Sequence, residues 1–294
     1  MAGRARVDTD TIEAWAGDGG TIATPAARPT VVTTIPLPKQ SWLREHEHML
    51  VSLTSIVFFL VVWQVVAPLF YSPLFLPSPL DIVKAFKDYV TGGEIAIDLA
   101  TSGQEFIIGY ALAAICGIPL GIAIGWYPRV RDALDPFITF FYVTPRIALI
   151  PLLIIWFGIG IESKVAVVFL GAFFSNVINT TAGVRSLDQG LLRVARSFGA
   201  SDRKIFTSIA LPGSVPFILT GLRLAVGHSL IGVFVGELVA AQHGVGQMMS
   251  IAGATFNSPA VFAGLIIFAV SGLVLTVALQ RIEHHFDAWR PQQP

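Results

Sequence analysis

Residues 193–213 read "RVARSFGASDRKIFTSIALPG", a short polar stretch between two of the most apolar parts of the chain. Four of its side chains are basic: Arg193, Arg196, Arg203 and Lys204. Gly199 is a natural stop for a first helix, because glycine adopts the left-handed backbone conformation without steric cost. Ser201 can cap a second helix, which Pro212 would end. The stretch therefore predicts two helices joined by a bend.

The first of these helices has a capping signal and one apolar face. Ser186, with Gln189 three residues later, has the spacing of a capping box, so we expect the helix to begin there. The apolar residues that follow recur with the period of one helix face: Leu187, Leu191, Val194, Ala195 and Phe198. An element resting on anionic lipid head groups and an element docking on a protein both fit this pattern.

The composition outside this stretch is that of a membrane protein. Of the 294 residues, 54% are hydrophobic and 13% are charged, against roughly 25% charged residues in soluble domains. A bilayer needs about 20 apolar residues per helical span. Six such stretches are present, at residues 49–70, 101–125, 133–157, 164–184, 217–241 and 259–279. Residues 74–90 carry four charges and predict an interfacial helix instead. The fold class is therefore all-α, with about six transmembrane helices.

The basic residues predict the orientation of the chain. With the N-terminus inside, that side of the membrane holds 14 of the 19 Lys and Arg residues, and Lys84, Lys87 and Lys164 lie on the opposite side. Because cytoplasmic loops are rich in Lys and Arg, both termini and the loop 185–213 are expected to be cytoplasmic. Residues 1–40, rich in Thr, Ala, Gly and Pro, predict a disordered cytoplasmic extension before a membrane domain at 41–290. With no cleavage site behind it, the first span should remain as an anchor.

Several enzyme classes lack their motifs in this chain. There is no G-x-x-x-x-G-K-[ST] phosphate loop, no G-x-S-x-G elbow and no H-E-x-x-H pair. His46, His48, His284 and His285 lie at the solvated ends, and nothing indicates a metal site or nucleic-acid binding. His228 stands alone in the fifth span, where a packing hydrogen bond is expected. We therefore expect no enzyme activity and no cofactor in this chain.

Arg146 is the most informative charge within a predicted span. It lies near the middle of residues 133–157, where a charge costs roughly 2.5–3.5 kcal/mol and should face protein or water. Pro145 and Pro151 predict a kink or break around it. Either Arg146 faces a translocation route and attracts an anion, or it pairs with a carboxylate or backbone carbonyls and holds the kink.

Three other polar residues are candidates for the route. Glu237 lies near the outer end of the fifth span, as a gate element or as a packing partner for a basic residue. Asn176 and Asn179 lie three residues apart in the fourth span, where hydrogen bonding between helices is the favoured alternative. Glycines at 109, 117, 121 and 125 are spaced by four or eight residues in the second span and predict a close helix contact.

The polar stretch resembles a known family. Ala195 lies four residues before Gly199, and nine residues separate Gly199 from "IALP" at 209–212. This is similar to the cytoplasmic loop of bacterial ABC-importer permeases, whose pattern is E-A-A, three residues, G, nine residues, I-x-L-P. The resemblance covers residues 63–289, including "LPSPLDIV", "GIPLGIAIGW" and "GELVAA", and is to the branch that handles nitrate, sulfonates, taurine, bicarbonate and some aromatic or pyrimidine compounds.

The resemblance implies a type I ABC-importer permease (MetI-like) fold in the bacterial inner membrane. The implied partners are two cytosolic ATP-binding subunits, which hold ATP and Mg²⁺, an extracytoplasmic solute-binding protein and a second permease copy that forms a homodimer with this chain. In such permeases the loop couples to the ATPase subunits. The corresponding residues here are Arg193, Ala195, Gly199, Ala200, Ser201, Asp202, Ile209, Leu211 and Pro212.

The chain departs from the family pattern at one point. Arg193 and Val194 stand where the pattern has Glu and Ala, so we expect a compensating acidic residue on the partner. A small anion is the expected solute. An ion-coupled secondary transporter or channel without an ATPase is the alternative, and a membrane scaffold without transport activity is a third class.

Overall fold

The computed structural model describes residues 47–70, 72 and 74–285. Within these residues the chain forms helices and no strand. The predicted disorder of residues 1–40 and the side chains of His46, His48, His284 and His285 lie outside the described part. The helices are α1 (Glu47–Phe70), α2 (Pro79–Thr91), α3 (Ile95–Trp126), α4 (Pro128–Val143), α5 (Ile150–Phe157), α6 (Ile161–Arg185), α7 (Gln189–Ser197), α8 (Asp202–Ile205), α9 (Leu211–Ala240), α10 (Val245–Ala254) and α11 (Ser258–His285).

Five helical stretches of the described chain are long and apolar enough to cross a membrane. They are Met49–Leu69, Ile95–Trp126, Ile161–Arg185, Asp202–Ala240 and Ser258–Glu283. A sixth is present if the bent pair Pro128–Val143 and Arg146–Phe157 counts as one span. The expectation of an all-α protein with about six membrane helices is confirmed. Two of the helical stretches, Ile95–Trp126 and Asp202–Ala240, begin well before the apolar stretches predicted at 101–125 and 217–241.

The third predicted span is broken. Helix α4 and the 3₁₀ turn Arg146–Leu149 that leads into α5 meet at an angle of 88°. The reason lies in the link between them: Thr144 precedes Pro145 and has the extended conformation, with φ −67° and ψ 131°. Proline disfavours the helical conformation in the residue before it. Of the kink or break predicted around Arg146, the structure shows a break, so two helices occupy residues 133–157.

Helix α6 lies at the centre of the bundle, packed between α3 and α9. Glycines allow the close approach on the α3 side. A Cβ atom placed on Gly109 would lie 2.6 Å from Val168 Cβ, and one on Gly121 would lie 2.7 Å from Thr180 Cβ. On the other side, a Cβ on Gly171 would lie 2.8 Å from the carbonyl oxygen of His228. The glycine pattern at 109–125 thus predicted a real helix contact.

The polar loop, residues 185–213, runs into α9 without interruption. Helix α8, a π-helical turn (Phe206–Ala210) and α9 form one helical stretch, Asp202–Ala240, of 39 residues. The prediction that Pro212 ends the second helix of the loop is therefore wrong. Pro212 lies in the first turn of α9, directly after the π turn. We attribute its tolerance to the wider winding of that turn, which suits a residue without a backbone donor.

Helix α2 is the interfacial element expected at residues 74–90, and it is absent from the span candidates. A capping box begins it: Ser78 Oγ accepts from the Asp81 amide, and Asp81 Oδ2 accepts from the Ser78 amide. Ser78 Oγ also donates to Asp81 Oδ2 at 2.7 Å. Hydrogen bonds from Ser78 hold the pKa of the Asp81 carboxyl below its ordinary value. The box fixes the start of α2 at Pro79.

The α3–α6 contact gives a matched pair of glycine substitutions. We expect Gly121→Ala to lower the unfolding temperature of the purified protein, because overpacking of this size costs about 1–3 kcal/mol and each kcal/mol shifts the midpoint by about 2–4 °C. Gly103→Ala, also on α3, is the control, since a Cβ there meets nothing within 4 Å. Equal midpoints for the two variants in a thermal unfolding assay would contradict the described helix contact.

Candidate functional site

The first helix of the polar loop starts later than predicted. Asp188 is the N-cap of α7, and its side chain accepts a 2.6 Å hydrogen bond from the Gly190 amide. Ser186, the predicted cap, instead donates to the Gly183 carbonyl at the end of α6. Asp188 has the extended backbone that an N-cap requires, with ψ 114°, whereas Ser186 is helical, with ψ 0°. The capping-box prediction at Ser186 is therefore wrong.

The apolar side chains of α7 point mostly away from the protein. Leu191 and Val194 are 51% and 53% exposed, and Phe198 is 88% exposed. Only Leu192 is buried in this helix, so it ties α7 to the body of the chain. The exposed trio, surrounded by exposed basic residues, forms an apolar patch with a charged rim.

The bend of the polar loop is a Schellman motif. Gly199 has φ +76°, the Ala200 amide donates to the Ala195 carbonyl at 3.1 Å, and the Gly199 amide donates to Arg196 at 2.9 Å. Directly after it, Ser201 Oγ accepts from the Lys204 amide and caps α8. The predicted roles of Gly199 as a stop and Ser201 as a cap are confirmed by this geometry.

The remaining residues of the family pattern join the bend to the span. Asp202 lies at the start of α8, 4.0 Å from the Arg196 Nε across the bend. Ile209 belongs to the π turn, and Leu211 and Pro212 open α9. Arg193 is exposed on α7. The nine predicted loop residues thus lie along α7, the bend and the start of the helical stretch Asp202–Ala240.

Arg146 lies at the break between α4 and α5. It binds backbone carbonyls, as one of the two alternatives described above expected, and it also borders a cavity. Its Nη1 donates to the carbonyl oxygens of Gly171 and Leu170, at 3.0 and 3.4 Å, and its Cζ lies 5.9 Å from the centroid of the Tyr142 ring. It also lines a cavity of about 370 Å³, the Arg146 cavity. The lining is Tyr142, Val143, Thr144, Pro145, Arg146, Ile147, Val167, Gly171, His228, Ile231, Gly232 and Val235.

A second cavity, of about 590 Å³, follows α6 toward the polar loop. Asp135 and Arg185 are its charged lining residues, and we call it the Arg185 cavity. Tyr142 lines both cavities and so stands between them. The two cavities together follow α6 from the Arg146 break to the start of the loop.

The two asparagines lie at helix contacts. Asn176 is 1% exposed, and its Cβ lies 3.0 Å from the position of a Cβ on Gly117 of α3. Asn179 donates to the Ser175 carbonyl at 2.8 Å and faces Gly221 of α9. Neither side chain lines the Arg146 cavity or the Arg185 cavity. The hydrogen bonds between helices that the sequence favoured are absent at these two residues: the Asn179 bond lies within α6, and neither amide atom of Asn176 has a hydrogen-bond partner.

Glu237 has no exposed surface and belongs to a buried polar cluster. It accepts hydrogen bonds from Ser102 Oγ at 2.5 Å and from the Gly246 amide at 2.6 Å. Ser102 Oγ accepts from the Val245 amide at 3.0 Å, and Asp98 accepts from the Gly244 amide at 2.7 Å. Three successive amides at the start of α10 thus end on side chains of α3 and α9. We call this arrangement the amide clamp.

Sequence reasoning missed most of the amide clamp. Asp98, Ser102 and Glu105 lie at i, i+4 and i+7 on α3, a spacing that predicts one shared polar face. Tyr89 of α2 donates to Asp98 at 2.6 Å, and burial and this hydrogen bond raise the pKa of the Tyr89 hydroxyl well above its ordinary value. A route-lining role for Glu237 would require the clamp to open.

Two residues of the Arg146 cavity were also missed as site residues. His228 was expected to make a packing hydrogen bond, and its Nδ1 does lie 2.9 Å from Ser175 Oγ, but its side of α9 also lines the cavity. Tyr142 carried no sequence signal beyond its place four residues before Arg146. Among the described residues, no group of three or more His, Cys, Asp or Glu side chains is placed to hold a metal ion.

Comparison with known proteins identifies the fold. The solved inward-facing MetNI methionine ABC transporter contains a chain that superposes with a TM-score of 0.58 at 17% identity, over 67% of this chain and 97% of that one. This similarity supports the MetI-like fold implied by the loop pattern.

Sequence relatives are closer. The taurine transport system permease protein TauC of Escherichia coli K12 is 35% identical over 245 residues, which cover 81% of this chain and 89% of that protein. The putative aliphatic sulfonates transport permease protein SsuC of Bacillus subtilis 168 is 36% identical over 232 residues, 79% of this chain and 84% of that protein. The family of binding-protein-dependent transport system inner membrane components matches residues 117–288, which include the Arg146 break, both cavities and the polar loop. The chain belongs to this family and is a multi-pass permease subunit of an ABC importer.

Proposed function

We propose that this chain carries a small anion of the sulfonate or taurine type across the inner membrane, driven by ATP hydrolysis on two separate cytosolic subunits. An extracytoplasmic binding protein delivers the solute, and a second copy of the permease completes the route. ATP and Mg²⁺ bind to the ATPase subunits, and both termini of the permease are cytoplasmic. The observation that carries the proposal is the polar loop, which joins an exposed docking patch to a membrane span.

The exposed patch has the composition of a protein interface. Such interfaces combine an apolar centre with a polar rim, and aromatic anchors contribute most of their binding energy. Phe198 is 88% exposed at the bend, with basic side chains around it. A permanently exposed phenylalanine on a rigid turn is expected to fill a groove on a partner, which supports docking on an ATPase over simple contact with lipid.

The loop also has the mechanical continuity that coupling requires. Because Asp202–Ala240 is one helical stretch, a displacement of the bend acts directly on the span that carries His228. Ile205 is 1% exposed, and Phe206 packs against Trp126 at the end of α3 with 5.3 Å between ring centroids. Movement of the loop would therefore reach both α3 and α9.

The Arg146 cavity supports an anionic solute. A guanidinium at the break of a membrane span attracts a negative charge, and it is the residue best suited to bind planar or tetrahedral oxyanions. TauC and SsuC are relatives named for taurine and aliphatic sulfonates, and both solute types carry a sulfonate group. Arg146 bound to the carbonyls of α6 can serve both the break and the solute.

In one copy of the chain, protein closes the cavities on one side only. Phe140, Val143 and Ile147 beside the Arg146 cavity are 64%, 70% and 56% exposed. In a membrane protein, apolar exposure by itself fits contact with lipid, but a route for an anion must exclude lipid. A second permease copy facing these residues would enclose the cavities, which supports a homodimer.

The backbone at Gly199 provides the test of coupling. Gly199 has φ +76°, and a Cβ there meets nothing within 4 Å, so any penalty comes from the backbone and not from a clash. We expect Gly199→Val to abolish stimulation of ATPase activity in the complex with its ATP-binding subunit and a loaded binding protein, because the left-handed conformation costs a β-branched residue about 1–2 kcal/mol. Gly199→Asn is the control and should retain most of the stimulation, since Asn tolerates this conformation.

Full stimulation of the Gly199→Val variant would show that the bend is not needed. If the native chain assembles with no ATPase and solute flux follows an ion gradient, the protein is a secondary transporter or channel instead.

The charge of the loop gives a second prediction. If an acidic residue of the ATPase faces Arg193, the substitution Arg193→Glu should weaken copurification of the ATP-binding subunit by about tenfold, the effect of losing a favourable pair and creating a repulsive one. Arg129→Glu makes the same charge change at an exposed position outside the loop and is the matched control. Unchanged or stronger binding by Arg193→Glu would refute the compensating acid.

Arg146 gives the test of the solute's charge. In vesicles that contain the whole importer, Arg146→Lys should retain uptake of a radiolabelled sulfonate, and Arg146→Ala should lose about tenfold or more, because removing a partner of a buried charge costs roughly 2 kcal/mol or above. Unfolding temperatures of both variants separate this loss from a loss of the α6 contacts. Normal uptake by Arg146→Ala would dismiss the charge-based role.

A further inference from the structure

We propose that the Arg146 cavity binds an organic anion in a fixed orientation, with its head group between Arg146 and His228 and its apolar body against Val167, Ile231 and Val235. This proposal rests on the proposed function and adds a second solute-binding residue and a preference for organic over inorganic anions. Three observations support it: Arg146 and His228 both line the cavity, other residues hold each of these side chains in place, and most other lining residues are apolar.

Arg146 has donors to spare after its structural contacts. Both carbonyl oxygens, of Gly171 and Leu170, accept from the same nitrogen, Nη1. A guanidinium carries five N–H donors in a fixed fork, so Nη2 and Nε are available for a bidentate contact with an oxyanion. The carbonyl contacts fix the plane of the fork at the edge of the cavity.

His228 reaches the same cavity from α9. Gly171 links the two side chains: its carbonyl binds Arg146, and its Cα faces the His228 backbone so closely that a Cβ would lie 2.8 Å from the His228 carbonyl oxygen. Ser175, which is buried, holds the imidazole through Nδ1 at 2.9 Å. In the tautomer in which the Ser175 hydroxyl donates to Nδ1, Nε2 carries a proton and can donate to an anion.

The rest of the cavity is built for a hydrocarbon body. Val167, Ile231 and Val235 line it, with Val143 and Ile147 across the break. Its volume of about 370 Å³ lies at the small end of the roughly 300–1,000 Å³ typical of ligand sites. Nitrate and bicarbonate are much smaller than this space and would leave most of it as water against apolar walls. A sulfonate or carboxylate with a short alkyl or aryl body would fill it.

A thiol placed in the cavity reports its charge and its contents without transport. Cys116 is the single cysteine of the chain, so Cys116→Ser provides the background. Ile231→Cys then places a thiol in the cavity wall, and Thr255→Cys, exposed at the end of α10 in a stretch without charged residues, is the control. The full-length chain in lipid nanodiscs is labelled with two thiol reagents, the anionic 2-sulfonatoethyl methanethiosulfonate and the cationic 2-aminoethyl analogue.

We expect the anionic reagent to be favoured at the cavity thiol. The ratio of anionic to cationic labelling rates should be about tenfold higher for Ile231→Cys than for Thr255→Cys, as one nearby unit charge in a medium of intermediate dielectric produces. Adding Arg146→Gln should remove this preference, and Arg146→Lys should retain it. His228→Leu should lower the ratio several-fold, and His228→Gln, which keeps a donor, should lower it less.

Competition separates organic from inorganic anions. Butanesulfonate should slow labelling of the Ile231→Cys thiol at concentrations at which nitrate has no effect. Equal protection by nitrate, an anionic preference that survives Arg146→Gln, or no labelling by either reagent would overturn the site, and an unchanged ratio in His228→Leu would overturn the role of His228. Because labelling needs neither ATPase nor binding protein, its failure is distinguishable from a failure of ATP-driven import.

Discussion

The close contact of α6 with α3 and α9 is the constraint on which the other features depend. Glycines on α3 admit Val168 and Thr180 of α6, and Gly171 of α6 admits the backbone of α9. Since no Cβ fits at these positions, the three helices are held at backbone distance. This contact places the Gly171 carbonyl within reach of Arg146 and Ser175 within reach of His228. The Arg146 cavity is therefore a product of the packing of the bundle.

The loop end of the bundle and the clamp end are stabilised in different ways. At the loop end, backbone hydrogen bonds of the Schellman motif and the Ser201 cap hold a rigid bend that exposes apolar side chains. At the other end, the amide clamp buries Glu237 and Asp98 against the first amides of α10, where acidic groups also oppose the positive end of the helix dipole. One end of the bundle thus has a hydrogen-bonded bend with exposed apolar side chains, and the other end has the buried amide clamp.

Sequence reasoning predicted the features with local causes. The Gly199 bend, the Ser201 cap and the glycine contact of α3 follow from the conformations and sizes of single residues, and the apolar windows identified every span. It failed where two local signals compete. At Ser186 a capping-box spacing was outweighed by the backbone of Asp188, and at Pro212 the π turn allowed a helix to continue through a residue that usually ends one. The break at Arg146 was expected, but its angle depends on Thr144 and Pro145 together.

The cavity and the clamp were beyond the reach of the sequence because they join residues far apart in the chain. His228 and Arg146 meet only through Gly171 of a third helix, and Glu237 meets Ser102 across 135 positions. Without the helix arrangement, each looked like an isolated polar residue with several possible partners. The spacing of Asp98, Ser102 and Glu105 contained part of the answer, since three polar side chains on one face of a span require a polar neighbour.

The π turn at Phe206–Ala210 sets the rotational phase between the loop and the span. A π turn holds one residue more than an α turn, and one residue of an α-helix corresponds to a rotation of about 100° and a rise of about 1.5 Å. The single extra residue of the π turn therefore sets the angle, around the axis of α9, between the direction of Phe198 and the face that carries His228. Unwinding that turn into regular helix would rotate the bend, with Phe198, around the axis of α9 by about 100° and change its depth by only about 1.5 Å.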